Sequence, residues 1–399
     1  ILNHRDLLKE AFMEVKQVYE LTNTVTKEVL GEEAVLNEDL SNIVDIGEQV
    51  IGADQVENYT KKLIDRIGKT LYVNRPYEGS APSVLMDGWE YGSIMQKITM
   101  DKLPEAQEND SWKLVNGTSY DPNVFNGPEV SAKYFNSKTT FEVPMSFPKM
   151  QVNEAFTSAE QVNAFESMIQ TAIDKSITVK TDALVMRTIN NMIGETLHDF
   201  ASDGHYSGKS GKRAINLLYL YNQQYGTELT PMQARLNPDF IRFAIFTIAL
   251  YQDRLRKVST MFNIGGKDRF TTPDLRHTVL LAEFAKAAGV YLYDGTGQFR
   301  TDNLSIGDFE TVPYWQGSGL DYGFESTSKI DIKTGSGNVI TASGILGVVF
   351  DRDALGVCNQ NRRTTSQPNN KAEFYNFWHK VDASYFNDTN ENFLVFYIA

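Results

Sequence analysis

The amino-acid sequence predicts an α+β fold, and three observations carry the expectation. Apolar residues recur at helical spacing near the start and through the middle of the chain, two-residue alternation marks strands before residue 150, and short apolar or aromatic strands fill the last quarter. With 399 residues, 41% hydrophobic and 22% charged, the chain is able to bury a substantial core, and its length admits two or three compact units.

From Asp6 to Leu30, the residues Leu7, Leu8, Ala11, Phe12, Val15, Val18 and Tyr19 recur at steps of three and four, which predicts an amphipathic helix. The chain is polar and acidic after Gly31, and Val56 to Val73 reads as a short amphipathic stretch running into an extended one. Turn formers between 74 and 90 deliver it to Ser93 to Met100, where Ile94, Ile98 and Met100 share one face of a strand. A second alternating run places Thr139, Phe141, Val143 and Met145 on one face. The polar excursion between these runs is far longer than a hairpin turn, so 76–150 is expected to form a protruding two-stranded arm.

Thr157-Ser-Ala-Glu160 supplies a capping box, in which the hydroxyl and the carboxylate satisfy each other's backbone amides. Behind it run Val162, Phe165, Ile169, Ala172, Ile173 and Ile177, then Leu184, Ile189, Met192, Ile193 and Leu197, up to about His198. Such a helix would be roughly 60 Å long. It either breaks between Ser176 and Thr181 or serves as a spine. A further helix begins at Asn237, with Pro238 in its first turn and Asp239 favoring the dipole. From Phe240 to Leu250 it is apolar nearly all round, which predicts burial, and Arg254, Arg256 and Lys257 sit at its C-terminal end.

Thr278 to Leu281 reads as a strand entering a helix over Ala282 to Ala288, and short strands with glycine turns follow up to Gly337. Ile345 to Phe350 suits a strand buried on both faces, closed by the turn Asp351 to Ala354. After a polar loop from Asn359 to Lys371 come two aromatic-rich strands, Phe374 to Val381 and Phe393 to Ile398, the last expected to be tied into a sheet.

Charge and composition narrow the function. A net charge of -13 argues against a general grip on nucleic acid, which depends on Lys and Arg displacing counterions. The excess is uneven: eleven carboxylates against four basic residues in 1–50 leave -7 there, as expected of a solvated segment or of an arm lying on a neighbor. No apolar run approaches the roughly 20 residues of a membrane span. Membrane and secretory readings are therefore disfavored. The single cysteine, Cys358, is expected to be small core filler.

Each search for chemistry returns a bland answer. Gly208-Lys209-Ser210 lacks the upstream glycine of a phosphate-cradling loop, and no serine elbow is present. His198, Asp199, Asp203 and His205 are close enough in sequence to offer a divalent metal nitrogen and carboxylate ligands, but a helix end followed by a glycine loop uses the same residues for capping. Asp351 and Asp353 read as caps after a buried strand, not as an acid and base pair. The expectation is no catalytic, cofactor-binding or metal-binding residue.

The order of elements, together with the phrase Gly344-Ile-Leu-Gly-Val-Val-Phe-Asp-Arg-Asp-Ala-Leu355, resembles the tailed-phage major capsid proteins of the Hong Kong 97-type fold. Leu63-Ile-Asp-Arg-Ile-Gly68 is also similar to the corresponding region in capsid proteins of small short-tailed phages. The resemblance implies an N-terminal arm over 1–75, an extended loop over 76–150, a peripheral domain with spine helix over 151–260, an axial domain over 261–365, and return strands of the peripheral domain over 366–399. It implies self-assembly into an icosahedral virion shell around double-stranded DNA, made in the host bacterial cytoplasm. Portal, scaffold or cement proteins would be its partners, with no membrane. On the exposed faces of the extended loop, Lys97, Lys102, Lys133 and Lys138 become candidates for contact with acidic surface on a neighboring subunit, such as the arm. An encapsulin-like nanocompartment shell is the alternative within the same fold. A metal-dependent cytosolic hydrolase built on His198 to His205 is the alternative from another class.

Overall fold

The computed structural model describes residues 15–31, 42–52, 95–104, 127–148, 159–200, 209–291, 306–316, 327–333 and 339–399, with isolated positions between these stretches. The Thr157 capping box, Ile94 and most of the Val56 to Val73 stretch lie outside the described residues. Two helices, α1 (Val15–Leu30) and α2 (Ile43–Gly52), pack on each other. Val25, Thr22 and Thr26 form the buried side of α1, where the Thr26 hydroxyl donates to the Thr22 carbonyl at 2.8 Å.

The long helix α3 (Ala159–Phe200) runs 42 residues without a break. Its residues include no proline, and Ser176, Thr178 and Thr181 do not interrupt it because the apolar stripe continues on both sides of them. Ile169, Ile173, Ile177, Leu184, Val185, Ile189, Met192, Ile193 and Leu197 are buried, as the spacing predicted. Its one glycine, Gly194, lets a small ribbon of β7 (Ile330–Lys333) and β8 (Val339–Ala342) come close. A Cβ at Gly194 would lie 3.3 Å from the Ile332 side chain.

Two larger sheets share this spine. One is an antiparallel sheet in the order β10 (Leu355–Asn369), β11 (Phe374–Asn387), β3 (Lys138–Pro148). The odd-numbered residues of β3 from Thr139 to Phe147 turn toward the core, the face the alternation predicted. The other has the order β4 (Ala214–Asn216), β12 (Phe393–Tyr397), β9 (Ile345–Asp351), β5 (Arg276–Leu281), β6 (Glu310–Val312). Every residue of β9 and β12 is buried, which explains their unbroken apolar runs. Gly344 opens β9 at φ 78, where a Cβ would sit 2.0 Å from the Ile398 carbonyl oxygen, so only glycine fits the turn. The spine is tied to this sheet through Trp315, whose carbonyl accepts from Asn190 at 2.7 Å and whose indole donates to the Ile345 carbonyl at 2.9 Å.

Between the sheets' strands lie α4 (Leu217–Tyr225), α5 (Pro231–Arg235), α6 (Pro238–Leu255) and α7 (Ala282–Tyr291). Asn237 caps α6 as expected, its side-chain oxygen accepting from the amides of Asp239 and Phe240 at 2.9 and 3.1 Å. Strand β5 enters α7 as the sequence implied.

Three element-level expectations need correction. The strand paired with β1 (Met95–Met100) is β2 (Val130–Phe135), in antiparallel register, whereas the run around Phe141 is β3 and pairs with β11. The polar segment 359–369 is not a loop but the outer part of β10. It is held by ladder hydrogen bonds to β11 beyond the edge of the core, and so carries no apolar alternation. Helix α6 is not buried all round: Phe240, Ile241, Ala244, Ile245 and Ile248 are, but Phe246 is 64% exposed.

Candidate functional site

The ribbon β1–β2 stands apart from both larger sheets, and its polarity is the reverse of what the sequence suggested. Along β1, Met95, Lys97 and Thr99 face the body while Gln96, Ile98 and Met100 face outward, and along β2 Ser131, Lys133 and Phe135 face the body while Val130, Ala132 and Tyr134 face outward. The cross-strand pairs Gln96 with Tyr134, Ile98 with Ala132 and Met100 with Val130 therefore build one continuous outer surface. It is largely apolar and open to solvent: Ile98 is 64% and Tyr134 65% exposed.

The inner surface meets a tight turn between β11 and β12. Asp388 begins this turn, and its carboxylate accepts from the Asn390 amide at 3.0 Å. Lys97 Nζ donates to Asp388 Oδ2 at 3.0 Å, to Glu391 Oε1 at 2.8 Å and to the Asp353 carbonyl at 3.1 Å. Lys133 Nζ donates to the other oxygen, Asp388 Oδ1, at 2.8 Å. Arg269 completes the cluster, Nε donating to Glu391 Oε1 at 3.0 Å and Nη1 to the Met100 carbonyl of the ribbon at 2.7 Å. These groups are mostly out of water, with side-chain exposures of 2% for Asp388, 8% for Glu391 and 16% for Lys97.

Burial alone would push Lys97 down and Asp388 up. Pairing outweighs it in both cases: Glu391 and Asp388 raise Lys97 above the ordinary lysine value, while the Lys133 hydrogen bond and the Lys97 charge hold Asp388 below the ordinary carboxylate value. A step further along the ribbon, Asp101 accepts from Lys267 at 2.7 Å and from Ser131 at 2.6 Å, and these hydrogen bonds lower its pKa. Behind the turn, burial pushes the Asp351 carboxyl up, against hydrogen bonds from the Asp353 amide and the Thr271 hydroxyl.

The four lysines picked out by sequence thus part company. Lys97 and Lys133 turn inward and are engaged by their own chain, since an Asp and a Glu absent from the sequence-level picture lie beneath the ribbon. Lys102 is exposed and 3.6 Å from an equally exposed Glu129, and Lys138 opens β3 at the surface, its charge near Asp382. Sequence reasoning missed Asp388, Glu391 and Arg269. The available signal was the polar phrase Asp388-Thr-Asn-Glu-Asn392 wedged between two apolar strands, where solvated turn residues would be expected to lie at the surface.

The suggested metal cluster is only partly described. His198 and Asp199 end α3, Asp199 pairs with Arg213, and Asp203 and His205 lie outside the described residues. Among the described residues, no group of three or more His, Cys, Asp or Glu side chains could hold a metal ion. Cys358 is buried. No described helix is long and apolar enough to cross a membrane.

The ribbon thus holds an apolar surface outward and is tied to the body by the ionic cluster beneath it. The family model of the Phi29-like phage major capsid protein matches residues 22–397, and the chain belongs to that family. It is a structural shell protein that assembles with copies of itself into the capsid of the virion. The nanocompartment and hydrolase readings are not favored by this match. The architecture mixes helix and strand, as the sequence predicted. Among solved structures, the chain is similar to the capsid structure of Staphylococcus phage Andhra, at 11% identity and a TM-score of 0.44, covering 79% of this chain and 83% of that one. It is also similar to the mature capsid of bacteriophage PhiM1, at 11% identity and a TM-score of 0.41, covering 82% and 87%. A third similarity is to the capsid of cyanophage P-SCSP1u, at 11% identity and a TM-score of 0.41, covering 79% and 86%. No curated protein matches the chain.

Proposed function

We propose that many copies of this chain close an icosahedral shell around double-stranded phage DNA, and that the outer face of the ribbon is one of the surfaces by which neighboring copies hold each other. The family match over 22–397 carries the first part. The exposed apolar row Ile98, Met100, Val130 and Tyr134 supports the second, because apolar side chains gathered on one face gain by being covered. Lys102 and Lys138, at the surface flanking the ribbon, are the lysines in position to meet acidic groups of a neighbor. An acidic chain suits a container for DNA, since a strongly basic wall would bind its contents.

In this reading 1–75 is an arm, 76–150 the extended loop, 151–260 the peripheral domain with its spine helix, 261–365 the axial domain and 366–399 the return strands of the peripheral domain. The chain performs no catalysis and is made in the host bacterial cytoplasm. A portal, with scaffold or cement proteins, joins it in the particle. Electron microscopy of the protein coexpressed with its neighboring genes tests the proposal. Closed shells tens of nanometers across with nuclease-protected DNA are expected, and protein-filled shells or only small oligomers would overturn it.

A further inference from the structure

We propose that the Asp388–Glu391 turn is an ionic joint that fixes the β1–β2 ribbon at one attitude to the body, and that removing its charge releases the ribbon while the body stays folded. Two strands alone are marginal in water, so the ribbon depends on what its inner face touches. On that face Phe135 meets Phe386 with ring centroids 5.2 Å apart, while Lys97 and Lys133 are bound by carboxylates of the body and Asp101, at the ribbon's end, by Lys267 and by the Asp268 amide.

The register makes Asp388 more than one ion pair among several. Lys97 and Lys133 are direct cross-strand partners. Two ammonium groups in that position repel, which disfavors the ribbon itself. Asp388 sits between them and gives one oxygen to each, at 3.0 and 2.8 Å, so a single carboxylate both cancels the repulsion and holds each strand to the body. Glu391 repeats the arrangement one step along, bridging Lys97 and Arg269 at 2.8 and 3.0 Å, and Arg269 in turn grips the Met100 carbonyl at the ribbon's end. The other charged groups close to the cluster are Asp351 and Asp353 behind the turn, and Asp101 with Lys267 and Asp268 at the ribbon's end.

The turn does not need the ribbon to keep its shape. The Asp388 amide donates to the Ala354 carbonyl at 2.7 Å, the Gly265 amide to the Thr389 carbonyl at 3.0 Å, and the Phe393 amide to the Phe262 carbonyl at 3.0 Å. All of these bonds lie within the body. The joint can therefore open as a unit, with the carboxylates left on a preformed turn.

The inference deepens the proposed assembly role only in its consequence, since a released ribbon would present its outer face at no fixed angle; the joint itself is tested on the unassembled full-length chain. Hydrogen exchange followed by mass spectrometry compares the wild type, Asp388→Asn, and Asp388→Asn combined with Lys133→Met. Asp388→Asn is expected to speed exchange in 95–100 and 130–135 on the order of tenfold or more, leaving β9 and β12 as protected as before. The added Lys133→Met removes the repulsion and is expected to restore part of the ribbon's protection. Unchanged ribbon exchange, equal loss of protection in β9 and β12, or no recovery in the double variant would each overturn the joint. Should Asp388→Asn fail to fold, Lys97→Met, which leaves the turn untouched, must by itself release the ribbon, and a protected ribbon there would refute the proposal.

Discussion

Replacing Ile98 by glutamate separates a surface used for assembly from one that merely happens to be apolar. Ile98 is 64% exposed and points away from the ionic cluster, so the unassembled chain has little to lose. Its stability should change by about 0.5 kcal/mol or less, as for other surface changes away from special features. In the shell the balance differs. Full burial of an isoleucine side chain is worth about 1.5–3 kcal/mol, so covering the part still exposed contributes roughly 1–2 kcal/mol per copy. A glutamate there loses that gain and must also be stripped of water, which brings the deficit to at least about 2 kcal/mol. That corresponds to roughly a thirtyfold weaker contact. Light scattering over a concentration series reads the threshold for shell formation, and urea denaturation of the unassembled chain reads its stability. A threshold that rises severalfold or more with unchanged denaturation midpoint is expected. An unchanged threshold would mean that the outer face of the ribbon is not a subunit contact.

Two further outcomes follow from the same geometry. Ile193→Ala on the buried side of α3 should cost about 2–5 kcal/mol, because the spine packs between both larger sheets and cannot collapse onto a cavity; a denaturation midpoint within error of the wild type would contradict this packing role. The ribbon's attachment should also be lost at both extremes of pH. The folded-state pKa of Asp388 is lowered, so its stabilization is present above the unfolded carboxylate value near 3.8 and disappears as pH falls through the folded one. That of Lys97 is raised, so its contribution is present below 10.5 and disappears as pH rises through the folded value. Asp351, with its raised pKa, acts the other way in acid and favors the fold once protonated. Ribbon exchange corrected for intrinsic rates should therefore be flat between the two unperturbed values and rise only as pH falls below 3.8 or climbs past 10.5. A rise centered near neutrality would point to a group other than these.

Legibility in the sequence followed burial. The stripe of α3, the doubly buried β9 and β12 and the inward face of β3 were readable because each buries a regular set of apolar residues. The outer part of β10 was not, since its backbone pairs with β11 while its side chains stay mostly in water, and a polar strand then looks like a loop. Helix α6 misled in the opposite sense, for Phe246 is as apolar as its buried neighbors yet faces solvent. The ribbon combined both difficulties. Alternation was visible in β1, but the rule that apolar residues face inward fails where the body offers carboxylates instead of a core. Lys97 was expected on the outside for that reason. Only the fold brings residues 388–391 beneath residues 97 and 133, a proximity that no local pattern records.

Cryo-electron microscopy of the assembled particle, at a resolution that shows side chains, tests the central claim most directly. The account predicts a closed shell in which Ile98, Met100, Val130 and Tyr134 are covered by a neighboring copy while Lys97 and Lys133 remain on Asp388 of their own chain. A shell in which that outer face stays open to solvent, or in which the two lysines leave Asp388 to reach acidic groups of a neighbor, would contradict it.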